Sequence, residues 1–471
     1  MEAKEAEYQA FDIAVVGAGP GGYVAAIRAA QLGMRAAIIE KQHMGGICLN
    51  WGCIPTKSLL KSAEVYQSIL KAGEYGLDVS AGDVDISRVV QRSRDIASRL
   101  SGGIDYLMDK NRIRVIRGAA RLSGPGELEV CEAGVVTHRV TAPHIILATG
   151  ASPRVIPGME PDGEVIWTAR DAMTPARLPE SLLVIGSGAI GIEFASFYRS
   201  FGTKVTVIEQ LDRILPQEDR DISRAALGYF SKRGIDFFTG GTVESLKVEN
   251  SAASVTWKTA SGEYRGTFER VILAVGVTAN TAGLGLEEQG VRLERGQVVV
   301  NEWCETSVSG LYAIGDMTAP PWLAHKASHE AVLCVEKIAG QPDLEPLDPL
   351  GIPACTYSAP QIASVGMTEQ QAQAESIKYR VGRFDLQASG KAQVIGQTEG
   401  FVKTLFDEET GELLGAHMIG PDVTELIQGY VIARKLESTE EELSQTVFAH
   451  PTMSEAMHES VLDAFDQAIH S

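Results

Sequence analysis

The chain is short of cysteine, of long apolar runs and of positive charge, and each shortage excludes a class of protein. Six cysteines among 471 residues are too few for a disulfide scaffold and are typical of a reducing compartment. The longest uncharged apolar stretches, around residues 13–27 and 271–286, contain glycines and fall short of the ~18 residues that a membrane span needs. Residues 1–10 have neither the basic start nor the apolar core of a signal peptide. We therefore expect a cytoplasmic protein without a membrane partner.

The charge balance is strongly acidic. Asp and Glu number 61 against 42 Lys and Arg, so the formal net charge is −19. Such a surface repels nucleic-acid phosphates, and we expect no nucleic acid as a partner. The hydrophobic content of 44% is ordinary for a globular protein, and the length suggests roughly three domains. Glycine is abundant, at 48 residues without a collagen period, which predicts many tight turns and phosphate-contacting loops.

One sequence pattern occurs twice and indicates the fold class. In the first copy an apolar strand (FDIAVV) leads into GAGPGG, a helical stretch and a strand that ends at Glu40. In the second copy SLLVI leads into GSGAIG, a helix and a strand that ends at Glu209. In both copies the acid follows the third glycine by 18 residues. The pattern predicts two dinucleotide-binding βαβ units of the Rossmann type in an α/β protein.

Each part of this pattern has a physical role. The first glycine allows a tight turn, the second lets the backbone approach a pyrophosphate, and the third lets the helix pack close to the strand. The helix N-terminus offers unpaired N–H groups to the phosphates, and the acid accepts hydrogen bonds from ribose hydroxyls. A single GxGxxG is a weak signal, but two copies with a correctly spaced acid are a strong one. The candidate residues are Gly17, Gly19, Gly22 and Glu40, and Gly186, Gly188, Gly191 and Glu209.

The remaining segments predict how these folds are completed. Short strands that end in small-residue turns, IILATG (145–150) and VILAVG (271–276), each fit the closing strand of a nucleotide fold. A third strand, 311–314, runs into Gly315 and Asp316. After about residue 349, alternating segments at 401–406 and 413–419 precede helical stretches at 424–436 and 454–469. We therefore expect a C-terminal α+β domain, of a kind that often serves assembly.

A pair of cysteines lies between the first acid and the next helix, in GGICLNWGCIPTKSLL (45–60). Pro55 fits the first turn of that helix, which places Cys53 near the helix N-terminus, where the dipole favours a thiolate. Lys57 lies one turn later and adds positive charge. Five residues of regular helix would separate two Cα atoms by roughly 8–9 Å, beyond the ~6.8 Å limit for a disulfide. Residues 49–52 must therefore be irregular if Cys48 and Cys53 pair; the alternative is two unpaired buried thiols.

The other cysteines and the histidines carry weaker signals. No second cysteine or histidine pair with metal spacing lies nearby, which disfavours zinc, and we expect no metal. His450 precedes a helix and is followed by Glu455, as in a histidine that a carboxylate orients as a general base. Taken alone, such a histidine is more often structural, and Thr452 or Ser454 can cap the helix. We interpret four cysteines as ordinary buried thiols: Cys131, Cys304, Cys334 and Cys355.

Together, GGICLNWGCIPTK, the two GxGxxG units, ATG, LYAIGD and AHPTMSE resemble the FAD-dependent pyridine nucleotide–disulfide oxidoreductases. The motifs follow the family's order from about Phe11 to the last helix. The resemblance implies a homodimer that uses FAD and NAD to oxidise dihydrolipoamide on a lipoyl-bearing carrier protein or acyltransferase of a multienzyme complex. It implies FAD-binding segments at 1–150 and 281–348, an NAD-binding domain at 151–280 and an interface domain at 349–471.

The resemblance also implies which residues hold the cofactors. The first glycine loop and Glu40 would bind the adenosine diphosphate of FAD, and the second loop and Glu209 would bind NAD. Thr149 and Gly150 would close the FAD fold, and Asp316 would hold the ribityl chain. Further cofactor contacts are expected at Lys41, Gly46, Lys57, Gly118, Val243, Gly276 and Ala324.

For the chemistry, the resemblance implies that Cys53 is the charge-transfer thiol against the flavin and Cys48 the interchange thiol. Lys57 would pair with Glu193 beside the flavin. His450, supported by Glu455, would be the base and would come from the other subunit, so that the active site is built across the dimer interface.

Two alternatives remain at this point. One is another NAD(P)H-dependent flavin disulfide or metal-ion reductase of the same family, although an acid at Glu209 repels the 2′-phosphate of NADP. The other is a non-catalytic flavin-bound subunit, which the combination of Cys48, Cys53 and His450 disfavours. A few positions depart from the commoner pattern of the family: Trp51, where many members carry a small aliphatic residue, and Val277, Ala279, Trp322 and His329.

Overall fold

A computed structural model describes residues 6–470 of the chain. In chain order, the helices are α1 (Pro20–Gln31), α2 (Gly46–Trp51), α3 (Cys53–Leu70), α4 (Ile86–Lys110), α5 (Ala169–Ala172), α6 (Ala189–Ser200), α7 (Arg220–Lys232), α8 (Ala324–Ile338), α9 (Glu369–Ala374), α10 (Gly390–Val394), α11 (Val423–Lys435), α12 (Glu440–Gln445) and α13 (Glu455–Asp463). Within the part of the chain that is described, no helix combines the length and apolar character that crossing a bilayer requires.

The strands are β1 (Glu7–Ala10), β2 (Ile13–Val16), β3 (Ala36–Glu40), β4 (Arg114–Arg117), β5 (Ala119–Gly124), β6 (Glu127–Glu132), β7 (Val135–Thr141), β8 (His144–Leu147), β9 (Ala151–Pro153), β10 (Ile166–Trp167), β11 (Ser181–Ile185), β12 (Lys204–Ile208), β13 (Ile235–Phe238), β14 (Thr242–Glu249), β15 (Ala252–Thr259), β16 (Gly262–Phe268), β17 (Arg270–Leu273), β18 (Val277–Ala279), β19 (Leu293–Glu294), β20 (Gln297–Val298), β21 (Leu311–Ala313), β22 (Ala354–Thr356), β23 (Gln361–Gly366), β24 (Tyr379–Asp385), β25 (Phe401–Asp407) and β26 (Leu413–Gly420).

The chain divides into two compact units. Among the described residues, the first comprises the chain from residue 6 to Ser58, Val90–Arg154 and Val277–Leu347, and the second comprises Leu59–Val89, Val155–Gly276 and the chain from Asp348 to residue 470. The domain boundaries that the sequence suggested stay a prediction.

The first unit is built on a parallel sheet in the order β21-β8-β2-β3-β4. Its central strand is buried at every position, as expected for a parallel strand that is covered on both faces. Ile13 and Val15 pack against apolar residues of α1, α4 and α8. Ala14 and Val16 point to the opposite face and pack against the sheet β1-β7-β6-β5. The alternation of side chains along β2 thus joins a helical layer and a second sheet to one core.

The chain leaves and re-enters this first unit through adjacent strands. β9 and β18 pair antiparallel, with Ala151 opposite Ala279. Asn280 extends the pairing, because its Nδ2 donates to Thr149 O at 2.9 Å and Thr149 Oγ1 donates to Asn280 O at 2.8 Å. The 149–150 segment, which was expected to close the first nucleotide fold, is therefore fixed by the returning chain.

The second unit contains the second parallel sheet, in the order β10-β17-β11-β12-β13. Leu183 and Ile185 of β11 pack with residues of the antiparallel sheet β14-β15-β16, including Val255 and Trp257. This arrangement repeats that of the first unit, with a parallel sheet, helices and an antiparallel sheet. The predicted duplication and the α/β fold class are confirmed.

The C-terminal part of the second unit is an antiparallel sheet, β22-β23-β26-β25-β24, which packs against α11 and α13. Buried apolar residues of the sheet, such as Val402 and Met418, share a core with Ile427, Tyr430 and Val461 of the two helices. The predicted α+β character is confirmed, and the two predicted strands and the first predicted helix are shifted by at most one residue at either end.

The last helix is shorter than predicted. It was expected over 454–469 but ends at Asp463. Glu459 accepts hydrogen bonds from the backbone N–H groups of Ile469 and His470, at 3.2 and 3.3 Å. These bonds turn the chain back on the helix, and Asp466 adopts a left-handed backbone with φ of 59°. A helix that continued past Asp463 would lose these two hydrogen bonds.

Candidate functional site

The first glycine loop lies between β2 and α1, as predicted. Gly17 has a φ of 102°, and a Cβ at Gly22 would lie 1.8 Å from Gly17 O, so a side chain at position 22 would collide with the backbone at the start of the loop. Around Gly19, by contrast, a Cβ would meet nothing within 4 Å. Gly19 is the N-cap of α1 without a side-chain cap, and the unpaired N–H groups of the first turn remain open to an anion.

Glu40 ends β3 and closes this loop. Its carboxylate accepts hydrogen bonds from Ala18 N–H at 2.8 Å and from Gln42 N–H at 2.7 Å. The side chain is buried, and one N–H on each oxygen leaves lone pairs for further donors such as ribose hydroxyls. The acid therefore both holds the loop and presents an acceptor beside it.

The second loop repeats this geometry between β11 and α6. Gly186 has a φ of 99°, and a Cβ at Gly191 would lie 2.1 Å from Gly186 O, while the space around Gly188 is open. Glu209 follows β12, and its carboxylate accepts from Ser187 N–H, Ser187 Oγ–H and Leu211 N–H at 2.7–2.8 Å. Both loops thus have the open second glycine and the buried acid that an adenine dinucleotide requires, and they fit FAD and NAD.

The cysteine segment packs directly on the first loop. Gly45 N–H donates to Ala18 O at 2.8 Å. A Cβ at Gly46 would lie 2.6 Å from the Cα of Gly19, so only glycine permits this approach. The helix that carries Cys48, α2, therefore begins against the phosphate-facing part of the loop.

Cys48 and Cys53 form a disulfide, with their Cα atoms 4.7 Å apart. The expectation that residues 49–52 are irregular is wrong for three of the four, because α2 continues to Trp51. Gly52 alone breaks the helix, with φ of −149° and ψ of −117°. α3 then begins at Cys53, as the position of Pro55 predicted. A single glycine break thus brings the end of one helix to the start of the next.

Of the remaining cysteines, two differ from expectation. Cys304 and Cys334 are buried, but Cys131 and Cys355 are half-buried. Cys355 lies in β22, which is an edge strand of its sheet, and Cys131 lies in β6, next to the edge strand β5.

Asp316 lies in a turn that follows β21, and side chains of α8 hold this turn in place. Glu330 accepts from Gly315 N–H at 2.8 Å and forms a buried ion pair with Lys326 at 2.7 Å. Lys326 Nζ also reaches Thr318 Oγ1 at 3.3 Å, and that hydroxyl donates to Gly315 O at 2.8 Å. Burial raises the pKa of Asp316, and the Lys326 ammonium counteracts this. The turn therefore presents an anionic acceptor in a fixed position, which fits the hydroxyl-rich chain of FAD.

The other predicted cofactor residues fall at the edges of these two folds. Lys41 follows β3 and is exposed, Gly118 N–H donates to Glu40 O at 3.0 Å, and Ala324 is the first residue of α8. Val243 lies in β14, and Gly276 follows β17 with a φ of 97°. Their contacts with cofactors stay predictions.

His450 and Glu455 are brought together as predicted. His450 Nδ1 lies 2.8 Å from Glu455 Oε1, and Glu455 Oε2 accepts from Thr452 N–H at 2.8 Å. Partial burial opposes ionisation of Glu455, but the hydrogen bonds from Thr452 and His450 lower its pKa. Of the two predicted caps, Ser454 is the N-cap residue of α13 but makes no side-chain capping hydrogen bond, and Thr452 Oγ1 donates to Ala449 O. The imidazole is 79% exposed. Glu455 holds the ring at Nδ1, and Nε2 lies on the opposite edge of the ring.

Glu193 is buried in α6, and its Oε1 accepts from Tyr357 N–H at 2.9 Å. Lys57 lies in the first part of α3. Lys57 and Glu193 belong to different units, as do the cysteines and His450, and both predicted pairings stay predictions.

The sequence analysis missed a buried charge cluster in the second unit. Lys403 Nζ lies 2.9 Å from Asp219, 2.7 Å from Asp221 and 2.5 Å from Glu369. The three carboxylates are grouped closely enough to hold a cation, and the ammonium of Lys403 lies among them. Lys403 is 184 positions from Asp219 and 182 positions from Asp221, so no short sequence pattern indicates the cluster.

Comparison with known proteins agrees with this geometry. Residues 11–331 match the pyridine nucleotide-disulphide oxidoreductase family model, and residues 352–461 match the dimerisation domain of the same family. The chain belongs to the pyridine nucleotide-disulphide oxidoreductases. As predicted, FAD and NAD are the cofactors of this family, and the C-terminal α+β domain is its dimerisation domain.

Curated relatives of this oxidoreductase span almost its whole length. It is 52% identical to the dihydrolipoyl dehydrogenase of Rhizobium etli over 98% of this chain and 100% of the relative. It is 48% identical to the dihydrolipoyl dehydrogenase of Zymomonas mobilis over 98% of this chain and 99% of the relative.

Two solved structures share the fold. LpdA from Mycobacterium tuberculosis has a TM-score of 0.89 at 28% identity and covers 97% of this chain and 99% of its own. The HOCl-induced flavoprotein disulfide reductase RclA from Escherichia coli, in its Cu(II) complex, has a TM-score of 0.86 at 26% identity, over 96% of this chain and 99% of its own.

Proposed function

We propose that this oxidoreductase oxidises protein-bound dihydrolipoamide to lipoamide and reduces NAD. The observation that carries the proposal is the Cys48–Cys53 disulfide, which packs against the first dinucleotide loop through Gly45 and Gly46. A disulfide beside a flavin site suits exchange with a dithiol substrate. The names of the relatives support the lipoyl group as that substrate.

In the proposed first step, His450 Nε2 takes a proton from one substrate thiol. Glu455 holds Nδ1 and stabilises the resulting imidazolium, as a carboxylate does for an oriented histidine. The thiolate attacks the Cys48 sulfur, and the Cys48–Cys53 bond breaks with Cys53 leaving as a thiolate. The position of Cys53 at the start of α3 favours that anion through the helix dipole.

In the second step, the remaining substrate thiol attacks the substrate sulfur of the mixed disulfide and passes its proton to His450 Nε2, which is free again once the first proton has gone to Cys48. Cys48 leaves, and His450 returns a proton to it. The substrate is now a disulfide, and the electron pair resides on Cys48 and Cys53. Bound FAD, held by the first loop, Glu40 and Asp316, would accept this pair and pass it as hydride to NAD at the second loop.

We further propose that the active protein is a homodimer in the cytoplasm, with a lipoyl-bearing carrier protein or acyltransferase as its partner. The match of residues 352–461 to the dimerisation domain supports the dimer. The 79% exposure of His450 in the single chain leaves the imidazole accessible to a second subunit. In this arrangement each site takes its cysteines from one subunit and its base from the other.

The test mixes two inactive variants, Cys48→Ser and His450→Gln, after subunit exchange is confirmed by mass. If sites are shared, each heterodimer has one intact site, and dihydrolipoamide:NAD activity should reappear. If both residues serve one chain's own site, every site keeps one defect and no activity returns. His450→Gln alone should slow dihydrolipoamide oxidation at least ~100-fold, the scale of a lost general base. Turnover of glutathione disulfide with NADPH above that of dihydrolipoamide with NAD would contradict the proposed substrate.

A further inference from the structure

We infer that Arg94 and Trp51 form a clamp that holds the cysteine helix α2 and stabilises the Cys48–Cys53 disulfide against reduction. The guanidinium carbon of Arg94 lies 4.3 Å from the centroid of the Trp51 ring, which is the geometry of a cation–π contact. The same guanidinium donates from NH1 to Asn50 O at 2.7 Å. Arg94 belongs to α4, which reaches α2 from a distant part of the sequence.

The hydrogen bond from Arg94 lies at the C-terminal end of α2. Asn50 and Trp51 are in the last turn of this six-residue helix, where carbonyl groups lack partners inside the helix. A cation at this end also interacts favourably with the helix dipole. Arg94 therefore satisfies the C-terminal end of α2 immediately before Gly52, the residue at which the chain turns towards Cys53.

The other end of α2 is held by the same helix α4. Ser101 Oγ donates to Met44 O at 2.7 Å, just before α2 begins. Asn50 Nδ2 donates to Met44 O and to Gly46 O, each at 2.9 Å, and ties the two ends of α2 together. Arg94 and Ser101 are two helical turns apart on α4, about 10.5 Å, and α2 is about 9 Å long. The spacing on α4 thus matches the length of the helix that it holds.

The neighbouring cysteine helix is held in the same way. Arg92 NH1 donates to Ser58 Oγ at 2.8 Å, one and a half turns after Cys53 in α3. α4 therefore contacts both helices that carry the redox cysteines. Because Arg92 meets α3 and Arg94 meets α2, loss of the Arg94 contact loosens the C-terminal end of α2 and leaves the contact with α3 in place.

Holding two thiols close to each other favours the bond between them, because less chain freedom is lost when the disulfide forms. Without the clamp, the reduced segment gains freedom that the oxidised segment does not have. The equilibrium then moves towards the dithiol. Arg94 and Trp51 act through the backbone of α2 and touch no reacting atom in this account, so they are positioning residues.

The test measures the disulfide–dithiol equilibrium of the flavin-loaded protein without turnover. Parent and variants are equilibrated without oxygen or NAD in defined ratios of reduced to oxidised dithiothreitol, the free thiols are alkylated, and the alkylated fraction of Cys48 and Cys53 is measured by peptide mass. This readout depends on the proposed function only in that these two cysteines are redox-active. It would stand if the lipoyl substrate were wrong.

Arg94→Met and Trp51→Leu should each raise the equilibrium constant for reduction about threefold to tenfold, where tenfold corresponds to about 30 mV for this two-electron couple. The double variant should shift no further than the larger single shift, because Arg94→Met already removes the cation–π contact that Trp51→Leu breaks. Trp51→Phe keeps an aromatic face and should stay within about twofold of the parent. Arg99→Met, which removes an exposed arginine of the same helix, is the matched control and should have no effect.

Three outcomes would overturn the inference. They are single variants within twofold of the parent, a shift towards the disulfide, and additive shifts in the double variant. Should Arg94→Met fail to accumulate with bound FAD, Trp51→Leu and Trp51→Phe decide the matter, since the clamp predicts a shift for the first and none beyond twofold for the second.

Discussion

Replacing Lys403 by methionine should destabilise the second unit locally, and the cost follows from the burial of the charges around it. The Lys403 side chain is 2% exposed, and that of Asp219, 2.9 Å away, is 0% exposed. Removal of one partner of a buried ion pair costs about 3–5 kcal/mol, because the other charge is left without compensation. Asp221 and Glu369 are partly exposed, so water stabilises their charges. We therefore expect the lower end of the range, about 3 kcal/mol.

Amide hydrogen exchange measures this loss where it occurs. Asp219 caps α7 by accepting from Asp221 N–H at 2.9 Å, and Lys403 lies in the middle of β25. Peptides from the start of α7 and from β25 should exchange roughly 100-fold faster in Lys403→Met, since about 1.4 kcal/mol corresponds to tenfold. The matched control is Lys378→Met, which breaks an exposed ion pair with Glu409 and should change exchange by less than about fivefold.

The loss of stability in Lys403→Met should also depend on pH. Burial opposes ionisation of Asp219, but His417 and Lys403 more than offset it and lower its pKa. Without Lys403 the pKa of Asp219 rises, so the folded variant takes up a proton at a pH where the parent remains ionised. The difference between variant and parent should therefore shrink as pH falls from 8 to 5. Exchange in Lys403→Met within threefold of the parent at pH 8, or a deficit that grows in acid, would refute the account.

Two further changes test the dinucleotide site and a buried acid. Glu209→Arg removes three hydrogen bonds to the second loop as well as the negative charge, so it should lower kcat/KM for NAD and raise the ratio of NADP to NAD use; an unchanged ratio would contradict the role of Glu209. Burial raises the pKa of Glu218 to about 7, with Ser364 opposing and Asp219 adding to the rise. The folded state therefore keeps a proton that the unfolded state releases above about 4.5, and stability falls as pH rises from there to about 7. Glu218→Gln should remove this loss. The free energy of unfolding of the variant, measured in urea, should exceed that of the parent by up to about 3 kcal/mol more at pH 8 than at pH 5. A difference between the two proteins that does not depend on pH would contradict this account of Glu218.

Much of the cofactor architecture could be predicted from local sequence alone. The first and third glycines of each loop are required by a tight turn and by the contact between them, and they lie five positions apart. Pro55 and Gly52 likewise determine where α3 starts and where α2 ends. Such features depend on backbone geometry over a few residues, so the residue types themselves carry the signal.

The helix α4 was not predicted from the sequence. Its apolar residues recur at helical spacing, at Ile86, Ala97, Ile104 and Met108, and a count of periodicity would have found the helix. Its polar side chains gave no sign of their purpose, because Arg94 resembles any surface arginine until its neighbour is known. Trp51 stood out as unusual in the sequence, but the reason for it lay 43 positions away.

The sequence by itself thus determined the two nucleotide folds, the redox cysteine pair and the histidine–carboxylate pair, because each of these depends on residues a few positions apart or on a repeated spacing. Only the tertiary structure decided that Arg94 meets Trp51, that Glu330 holds Gly315 from another helix, and that Lys403 lies among carboxylates from two other parts of the chain. These contacts join segments whose approach is set by the packing of whole sheets and helices, and a buried charge is tolerated only where that packing supplies its partner.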